Sequence, residues 1–395
     1  METSHLRPGT GLPLEGYRVL DLCEGPRSYC GRLLCDLGAQ VLKVEPAQGE
    51  PGRHAPPVVD AGAGSISLAF QFFNAGKRSA VVDMAHADPW APIGGFVSVC
   101  DVVLEDIEPG SDRTRLRETL RQRLEGRSVV WTSLTGYGTR GPMKGAPASD
   151  LTLLAHSGLL SLAGEPSREP LGAFGGIAWL GVATFAAMGA LGALYRRSIS
   201  GKGAEIDASA VEAMAHSLET APQFLDLEGV VRKRTGNRVE AATGVFACND
   251  GFVYLFTFMG GSLFNWNKLV DWLEEAGVPG AASLREPRWT DSVWRKTQEA
   301  ANTFDQIFSG FARTRSRQHL FEEGQRRGVI IGAVHQPSSL VDDPALRQRG
   351  FFRPLLLEGL GEIAFPGAPY RFRAADIGPR GSAPSLGEFS ITAGG

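Results

Sequence analysis

The first 150 residues alternate short apolar runs with stretches of helical character, and this alternation limits the fold more than any other feature of the sequence. The apolar runs are nearly continuous, as in strands that are buried on both faces of a parallel sheet, and parallel neighbours need a crossover helix between them. The predicted strands lie at residues 17–22, 39–45, 78–84, 101–107 and 128–134, and the predicted helices at 26–37 and 113–125. The pattern therefore predicts an α/β fold with a doubly wound, Rossmann-like sheet.

A second domain is expected because the chain has 395 residues, more than the roughly 250–300 that usually share a single core. A glycine- and alanine-rich helical region occupies about 150–222, and the composition changes again near 230. The turn signal Asn249-Asp250-Gly251 predicts a hairpin over 244–258, followed by helices near 263–276 and 302–327. We expect a Rossmann-like large domain over 1–222, a small α+β domain over 223–328 and a return to the large domain over 329–395, with one strand at 352–358.

Composition and charge limit the binding partners and the cellular compartment that we expect for this chain. The net charge of −3 gives no general basic field, so nucleic acid and anionic membranes are poor candidates as partners. Five cysteines without a C-x-x-C pair are typical of a reducing compartment, and the first 16 residues carry no apolar signal segment, which favours the cytoplasm. The apolar stretch at 177–195 contains several glycines and is interpreted as a buried helix, not a membrane span.

The loop Cys23-Glu24-Gly25-Pro26 follows the first strand and opens a helix, and the amino end of a helix is a natural seat for phosphate. Glu45 ends the next strand where dinucleotide-binding folds often place a ribose-binding acid, but the chain has no G-x-G-x-x-G motif. Basic residues that can hold a polyphosphate stand beside predicted strand ends: Lys77, Arg78, Arg113 and Arg115. The alternatives are a tight turn at Gly25-Pro26 and solvated surface charges at the basic residues.

Other enzyme signatures are absent from the sequence. It contains no G-x-S-x-G elbow, no H-E-x-x-H motif and no histidine and cysteine cluster with metal-ligand spacing, so neither a hydrolase nor a metal site is predicted. His156 lies in an apolar helical stretch and is interpreted as a core or surface histidine. The residues alone thus indicate a nucleotide-like ligand on an α/β fold.

The order of short motifs along residues 14–388 resembles the class III CoA-transferase family, also called CaiB/BaiF. The matching segments include LEGYRVLDL at 14–22, LGAQVLKVE at 37–45, FNAGKRS at 73–79, DVVLE at 101–105, TGYG at 135–138, SGKG at 200–203 and SLGE at 385–388. The resemblance implies an interlocked dimer, in which two chains are threaded through one another. It also implies a CoA thioester as substrate and no permanently bound cofactor.

The resemblance places CoA against the Rossmann-like domain. The residues at the matching positions are Gly25, Pro26, Lys77, Arg78, Asp106, Arg113, Tyr137 and Gly138. Family members often carry Asn where Asp106 stands, and an added carboxylate would repel CoA phosphates if it faced them. Gly260 and Gly261 match a glycine-rich loop that closes over the site, where glycine permits a close approach of the backbone.

The resemblance also implies a nucleophile that this sequence lacks. In the family an Asp carboxylate attacks the acyl-CoA thioester, which gives a mixed anhydride that CoA thiolate reopens to an enzyme-bound thioester. The matching position, 22 residues before Gly201, is Trp179, beside Ala178. No Asp or Glu occurs between Glu169 and Glu205.

Asp150 is the remaining candidate for a catalytic acid. Acyl-CoA racemases of the same superfamily use a His-Asp pair, but here Ser149 stands at the histidine position before Asp150, and the other racemase acids have no match. The alternative role of Asp150 is the N-cap of a helix over 151–162.

Two functions are compatible with these residues. The first is the non-nucleophilic subunit of a hetero-oligomeric CoA-transferase, of which the succinyl-CoA:benzylsuccinate type is an example. Its paralogous partner would carry the catalytic Asp, and the enzyme would move CoA between an acyl-CoA such as succinyl-CoA and a carboxylic acid. The second is a homodimeric acyl-CoA-binding protein, or a CoA-thioester isomerase or racemase with altered chemistry that uses Asp150 or no covalent step.

Overall fold

The computed structural model describes residues 11–62, 64–236, 238–259 and 262–389. The chain forms two compact units. The large unit comprises Met1–Leu160, Gly172–Val230 and Asp343–Gly395, and the small unit comprises Ser161–Leu171 and Val231–Asp342. The small unit extends past residue 328, where the sequence places a domain boundary, because a strand at Ile330–Ala333 pairs within its sheet.

A parallel sheet forms the centre of the large unit, as predicted, and it has six strands. The strands before residue 210 are β1 (Arg18–Asp21), β2 (Gln40–Glu45), β3 (Val58–Asp60), β4 (Ser65–Ser67), β5 (Arg78–Val81), β6 (Val102–Glu105), β7 (Val130–Thr135) and β8 (Ala204–Ser209). The order in the sheet is β5-β2-β1-β6-β7-β8, and β3 and β4 form a separate antiparallel pair. All five predicted strands are present, whereas β8 was not predicted.

Helices cover both faces of this sheet. Those before residue 230 are α1 (Tyr29–Asp36), α2 (Leu68–Asn74), α3 (Gly94–Val97), α4 (Thr114–Arg123), α5 (Asp150–His156), α6 (Leu159–Leu162), α7 (Ile177–Ser200), α8 (Ala210–His216) and α9 (Ala221–Glu228). A short 3-10 turn at Gly25–Ser28 leads into α1. Leu34 of α1 and Ala186 of α7 belong to the core on one face, and Leu116 and Leu120 of α4 belong to the core on the other.

Helix α7 is long and apolar enough, by length and composition alone, to cross a membrane. Five of its six alanines and Val182 are buried in the core of the large unit, as in a core helix of a globular protein. The opposite side of the helix carries large apolar residues that are exposed: Phe185, Met188, Tyr195 and Ile199, of which Tyr195 and Ile199 are each 72% exposed.

The small unit combines an antiparallel sheet with helices. Its strands are β9 (Arg238–Glu240), β10 (Thr243–Cys248), β11 (Gly251–Phe256), β12 (Phe258–Met259), β13 (Ser262–Leu263) and β14 (Ile330–Ala333), and its helices are α10 (Trp266–Glu275), α11 (Ser292–Arg295), α12 (Gln298–Arg313) and α13 (Arg317–Arg327). The predicted hairpin is β10–β11. The single helix predicted over 302–327 is instead two, because the Ser316 side chain accepts the N–H of His319 and starts α13 anew.

The chain returns to the large unit after residue 342 and covers the free edge of β5. This segment contains α14 (Pro344–Gln348) and the hairpin β15 (Phe352–Leu357) and β16 (Gly361–Pro366). The backbone N–H of Phe389 donates to the carbonyl of Ser79 at 2.8 Å, and the N–H of Gly387 donates to Ser79 Oγ at 3.1 Å. The edge of the sheet is therefore closed by residues that lie far away in sequence.

Candidate functional site

The strand order of the central sheet reverses at β1, which has β2 on one side and β6 on the other. In open α/β sheets, ligands bind in the crevice outside the carboxyl ends of the two strands at such a reversal. Here the loop 22–28 follows β1 and the loop 106–113 follows β6, and side chains of the two loops meet. We call the space between these two loops the switch-point crevice.

Asp106 lies in the switch-point crevice with its side chain fully buried. Its Oδ2 accepts the backbone N–H of Glu24 at 2.8 Å and Nε of Arg27 at 2.7 Å. Its Oδ1 accepts Nη1 of Arg113 at 3.0 Å. Arg113 also donates to the carbonyl of Leu22 and lies 3.2 Å from the Glu24 carboxylate. Two positive and two negative side chains therefore neutralise one another here.

The charge of Asp106 follows from these neighbours. Burial alone would raise the pKa of its carboxyl, but the attraction of Arg27 and Arg113 outweighs burial and holds that pKa below its ordinary value. Glu24 shows the opposite balance, since burial raises the pKa of its carboxyl in spite of Arg113. Asp106 is thus the permanent anion of the crevice.

Lys77, a predicted CoA contact, is buried beneath the loop after β1. Its ammonium donates to Asp21 Oδ2 at 2.7 Å, to the carbonyl of Ser28 at 2.6 Å and to Asn74 Oδ1 at 2.9 Å. These acceptors use all three N–H groups of the ammonium. A phosphate would have to displace one of them, and the contact of Lys77 with CoA stays a prediction.

Gly25 and Pro26 form the turn that opens toward α1. The backbone φ of Gly25 is 55°, a left-handed conformation that glycine adopts without strain, and Pro26 follows at the start of the 3-10 turn. The N–H of Gly25 donates to Glu50 Oε2 at 2.9 Å, and Oε1 of the same carboxylate lies 3.1 Å from the Lys43 ammonium. Glu50 therefore occupies the anion position of this turn.

Glu45, the predicted ribose-binding acid, is surrounded by donors of the chain itself. Arg53 binds its two oxygens at 2.6 and 2.7 Å, Ser79 Oγ donates at 2.6 Å and the N–H of Glu50 donates at 3.2 Å. Although burial would raise the pKa of Glu45, the hydrogen bonds from Arg53 and Ser79 lower it. Four donors fill the acceptor capacity of a carboxylate, so Glu45 acts as a structural anion.

The other predicted CoA contacts lie in separate local arrangements. The Arg78 guanidinium lies over the Phe389 ring at 4.4 Å. The Tyr137 ring meets His156 edge-on with a centroid distance of 5.3 Å. Gly138 has φ of 88° and donates its N–H to Thr135 Oγ1 at 2.8 Å, which makes the turn after β7. Their roles toward CoA stay predictions, and Gly260 and Gly261 lie outside the described residues.

Asp150 lies at the amino end of α7. Its Oδ1 accepts the backbone N–H of Ala178 at 2.8 Å and approaches that of Trp179 at 3.4 Å. The expectation that Asp150 caps its own helix is wrong, because Ser149 is the N-cap of α5 in a reciprocal pair with Thr152, and Asp150 is the first helical residue. The Asp150 carboxylate instead satisfies N–H groups in the first turn of α7.

Trp179, which the sequence predicts at the position of the family nucleophile, lies in the first turn of α7, and Ala178 beside it is buried. The Arg27 guanidinium lies over the Trp179 ring at 4.6 Å. Arg27 therefore connects Trp179, in the first turn of α7, to Asp106 in the switch-point crevice. Sequence patterns do not single out Arg27, since the only signal is that it directly follows Gly25-Pro26.

A cleft of about 350 Å³ lies beside β6, β7 and β8. Ser133 Oγ donates to Glu105 Oε1 at 2.6 Å, and the Arg121 guanidinium lies over the Trp131 ring at 4.2 Å while it pairs with Glu205 at 2.6 Å. This cleft was not predicted because β8 was not. Among the described residues, no group of three or more His, Cys, Asp or Glu side chains is placed to hold a metal ion.

The chain matches the model of CoA-transferase family III over residues 14–389. It is 34% identical to the succinyl-CoA:(R)-benzylsuccinate CoA-transferase subunit BbsE of Thauera aromatica, over 96% of this chain and 92% of that protein. It is 27% identical to the succinyl-CoA–D-citramalate CoA-transferase of Chloroflexus aurantiacus, over 95% and 92% of the two chains.

A solved structure has the same fold. The crystal structure of a CAIB/BAIF family protein from Brucella suis superposes with a TM-score of 0.82 at 25% identity and covers 96% of this chain and 97% of that one. The sequence match over almost the whole length and the shared fold together show that this chain belongs to CoA-transferase family III.

Proposed function

We propose that this chain is the subunit without the nucleophile in a hetero-oligomeric CoA-transferase. A paralogous partner chain would carry the catalytic Asp. The enzyme would transfer CoA between an acyl-CoA such as succinyl-CoA and a carboxylic acid. The similarity to a protein named as a subunit of such an enzyme, at 34% identity over 96% of this chain, supports this assignment.

The first turn of α7 carries the proposal. A carboxylate is required because only an acyl group joined to oxygen forms an anhydride that CoA thiolate can reopen. Trp179 stands at the family position with its ring beneath the Arg27 guanidinium, and Ala178 beside it is buried. No acid occurs between Glu169 and Glu205, so a shift of one turn in the alignment supplies no substitute.

The exposed side of α7 supports a partner chain. Phe185, Met188, Tyr195 and Ile199 recur at the spacing of one helix face and are 40–72% exposed. An apolar stripe of this length on a long helix is typical of a surface that another protein covers. The substitution Met188→Glu would place a charge on this apolar surface, and it is expected to reduce co-purification with the partner.

A second candidate function rests on Asp150. Its carboxylate lies at the same helix end that carries the nucleophile in the family, held by the N–H of Ala178 at 2.8 Å. In that case the chain would act as a homodimer with Asp150 as the attacking group. The capping role competes with this reaction, because an acyl group on Asp150 would remove the charge that accepts the two helix N–H groups.

The test is to map the covalent intermediate. The chain is co-expressed with its genomic paralogue, the purified complex is incubated with labelled acyl-CoA, and the enzyme-bound thioester is trapped and located by peptide mapping. The proposal predicts label on an Asp of the partner and none on this chain. A labelled Asp150, or turnover by this chain purified alone, would favour the second candidate.

A further inference from the structure

The switch-point crevice holds several donors that an incoming polyphosphate would use. They are the backbone N–H groups of Glu24 and Gly25 and the guanidinium groups of Arg27 and Arg113. Donors of this kind, at the end of a strand and the start of a helical turn, bind phosphate oxygens. In this chain each of them is already bonded to a carboxylate of the chain itself.

Two carboxylates share these donors. Asp106 takes the N–H of Glu24 and both guanidinium groups, at 2.7–3.0 Å, and Glu50 takes the N–H of Gly25 at 2.9 Å. The side chains of Asp106 and Glu50 are 0% and 1% exposed. They are thus enclosed in the crevice rather than free to swing into solvent.

We propose that Asp106 and Glu50 fill the seat of a bound polyphosphate, so that this chain does not hold the phosphates of CoA in its own switch-point crevice. The CoA that reacts would then be bound by the partner subunit, and this part of the inference rests on the proposed function. The loss of phosphate binding is a property of this chain alone.

The charges in the crevice explain why a phosphate would not bind there. Arg27 and Arg113 balance Asp106 and Glu24, and the buried Lys43 balances Glu50. A phosphate that entered would face two carboxylates and would have to replace charge-assisted bonds that already exist. Such an exchange gains little free energy of binding, because each donor only replaces one anion with another.

Trp179 also restricts the position of the Arg27 side chain. The guanidinium donates through Nε to Asp106, 2.7 Å away, and its central carbon lies 4.6 Å from the centroid of the Trp179 ring. A guanidinium that has both a hydrogen bond to a carboxylate and a contact with an aromatic ring has few orientations left. The residue at the nucleophile position and the carboxylate in the crevice therefore act on the same arginine.

Binding by the purified full-length chain tests the inference. Inorganic pyrophosphate and CoA are titrated separately by calorimetry into the wild type, Asp106→Asn and a control, Asp88→Asn. Asp88 pairs with Arg123 at 2.7 Å on the surface, so the control makes the same change of charge outside the crevice. Asn at 106 keeps the shape of the side chain but removes the anion that Arg27 and Arg113 share, so that Arg113 is left with Glu24 alone.

The expected result is a gain of binding. Wild type and Asp88→Asn should bind pyrophosphate only weakly, and Asp106→Asn should bind it roughly tenfold more tightly or better, as expected for recovered bonds to charged groups. CoA should follow the same order. Pyrophosphate should also raise the melting temperature of Asp106→Asn more than that of the wild type.

Two results would overturn the inference. One is tight binding of either ligand by the wild type, and the other is a folded Asp106→Asn chain that gains nothing over Asp88→Asn. If Asp106→Asn does not fold, Glu50→Gln decides, because Glu50 is the other carboxylate in the seat and Lys43 keeps its hydrogen bonds to Cys23 and Ser28: a gain in binding supports the inference, and no gain opposes it. Since these titrations involve no partner and no reaction, they stand apart from the mapping of the intermediate.

Discussion

The Asp150 carboxylate accepts the backbone N–H of Ala178 at 2.8 Å, so a residue in the first turn of α5 caps the first turn of α7. If this is its role, Asp150→Ala should lower the free energy of unfolding by about 1–2 kcal/mol, and Asp150→Asn by less than about 1 kcal/mol, because an amide oxygen still accepts the N–H. Urea denaturation measures both. Asp150→Asn should also leave turnover by the assembled enzyme nearly intact, whereas its complete loss would indicate a chemical role.

An acid placed at position 179 should not by itself give this chain transferase activity. In Trp179→Asp the new carboxylate would stand where the Trp179 ring now meets Arg27, and it would compete with Asp106 for that guanidinium. The chain purified alone should therefore show no transferase activity and no trapped thioester. The matched control is Trp179→Asn, which has the same size without the charge. Turnover by Trp179→Asp alone, at rates normal for the family, would contradict this prediction.

Lys77 and its neighbour Arg78 should differ sharply in their effect on stability. Lys77→Met leaves Asp21 buried without its cation, so we expect a loss of about 3–5 kcal/mol in the free energy of unfolding. Arg78→Met removes one contact with the Phe389 ring and should cost under about 1 kcal/mol. Denaturant titrations compare the two. Equal stability of both variants would show that the bonds of Lys77 contribute little to the fold.

Asp36 should make stability depend on pH between about 4 and 6. Burial raises the pKa of its carboxyl from 3.8 to about 6, against the attraction of Arg32, and within the described part of the chain its Oδ1 has no hydrogen-bond partner. The native state therefore binds more protons than the unfolded state in this window, so this group reduces stability as the pH rises through it.

Asp36→Asn should remove that loss. At pH 8 the variant should be more stable than the wild type by about 1 kcal/mol, which is less than the full shift implies because the Arg32 pair is lost as well. At pH 4 the difference should vanish or reverse. Asp226→Asn, on the exposed side of α9, serves as the control in thermal melts at both pH values. A stability difference that does not change with pH would contradict the assignment.

The central strands were predictable because burial on both faces leaves an uninterrupted apolar run. Strand β8 was not, because it lies at the edge of the sheet and exposes Glu205 and Asp207 on one face. Its alternating pattern is short and lies next to the glycine turn at 201–203, so it resembles a loop. The cleft beside β8 was missed for the same reason.

The candidate site was predictable in its position but not in its internal bonding. The turn after β1, with Gly25, and the loop after β6, with Asp106 and Arg113, meet because parallel strands at a reversal bring their carboxyl ends together. Whether Asp106 turns toward a ligand or toward Arg27 depends on contacts between loops that are far apart in sequence. No local spacing encodes that choice, and the same holds for Asp150 and α7.

The hydrogen bonds that close the edge of β5 have a consequence for the synthesis of the protein. Ser79 receives its partner at Gly387 only after 308 further positions have been translated. A ribosome that has completed the parallel strands thus holds an open sheet edge until nearly all of the polypeptide has emerged. Such edges invite wrong pairing, so this protein should depend on protection during synthesis, and premature termination should release a product prone to aggregate.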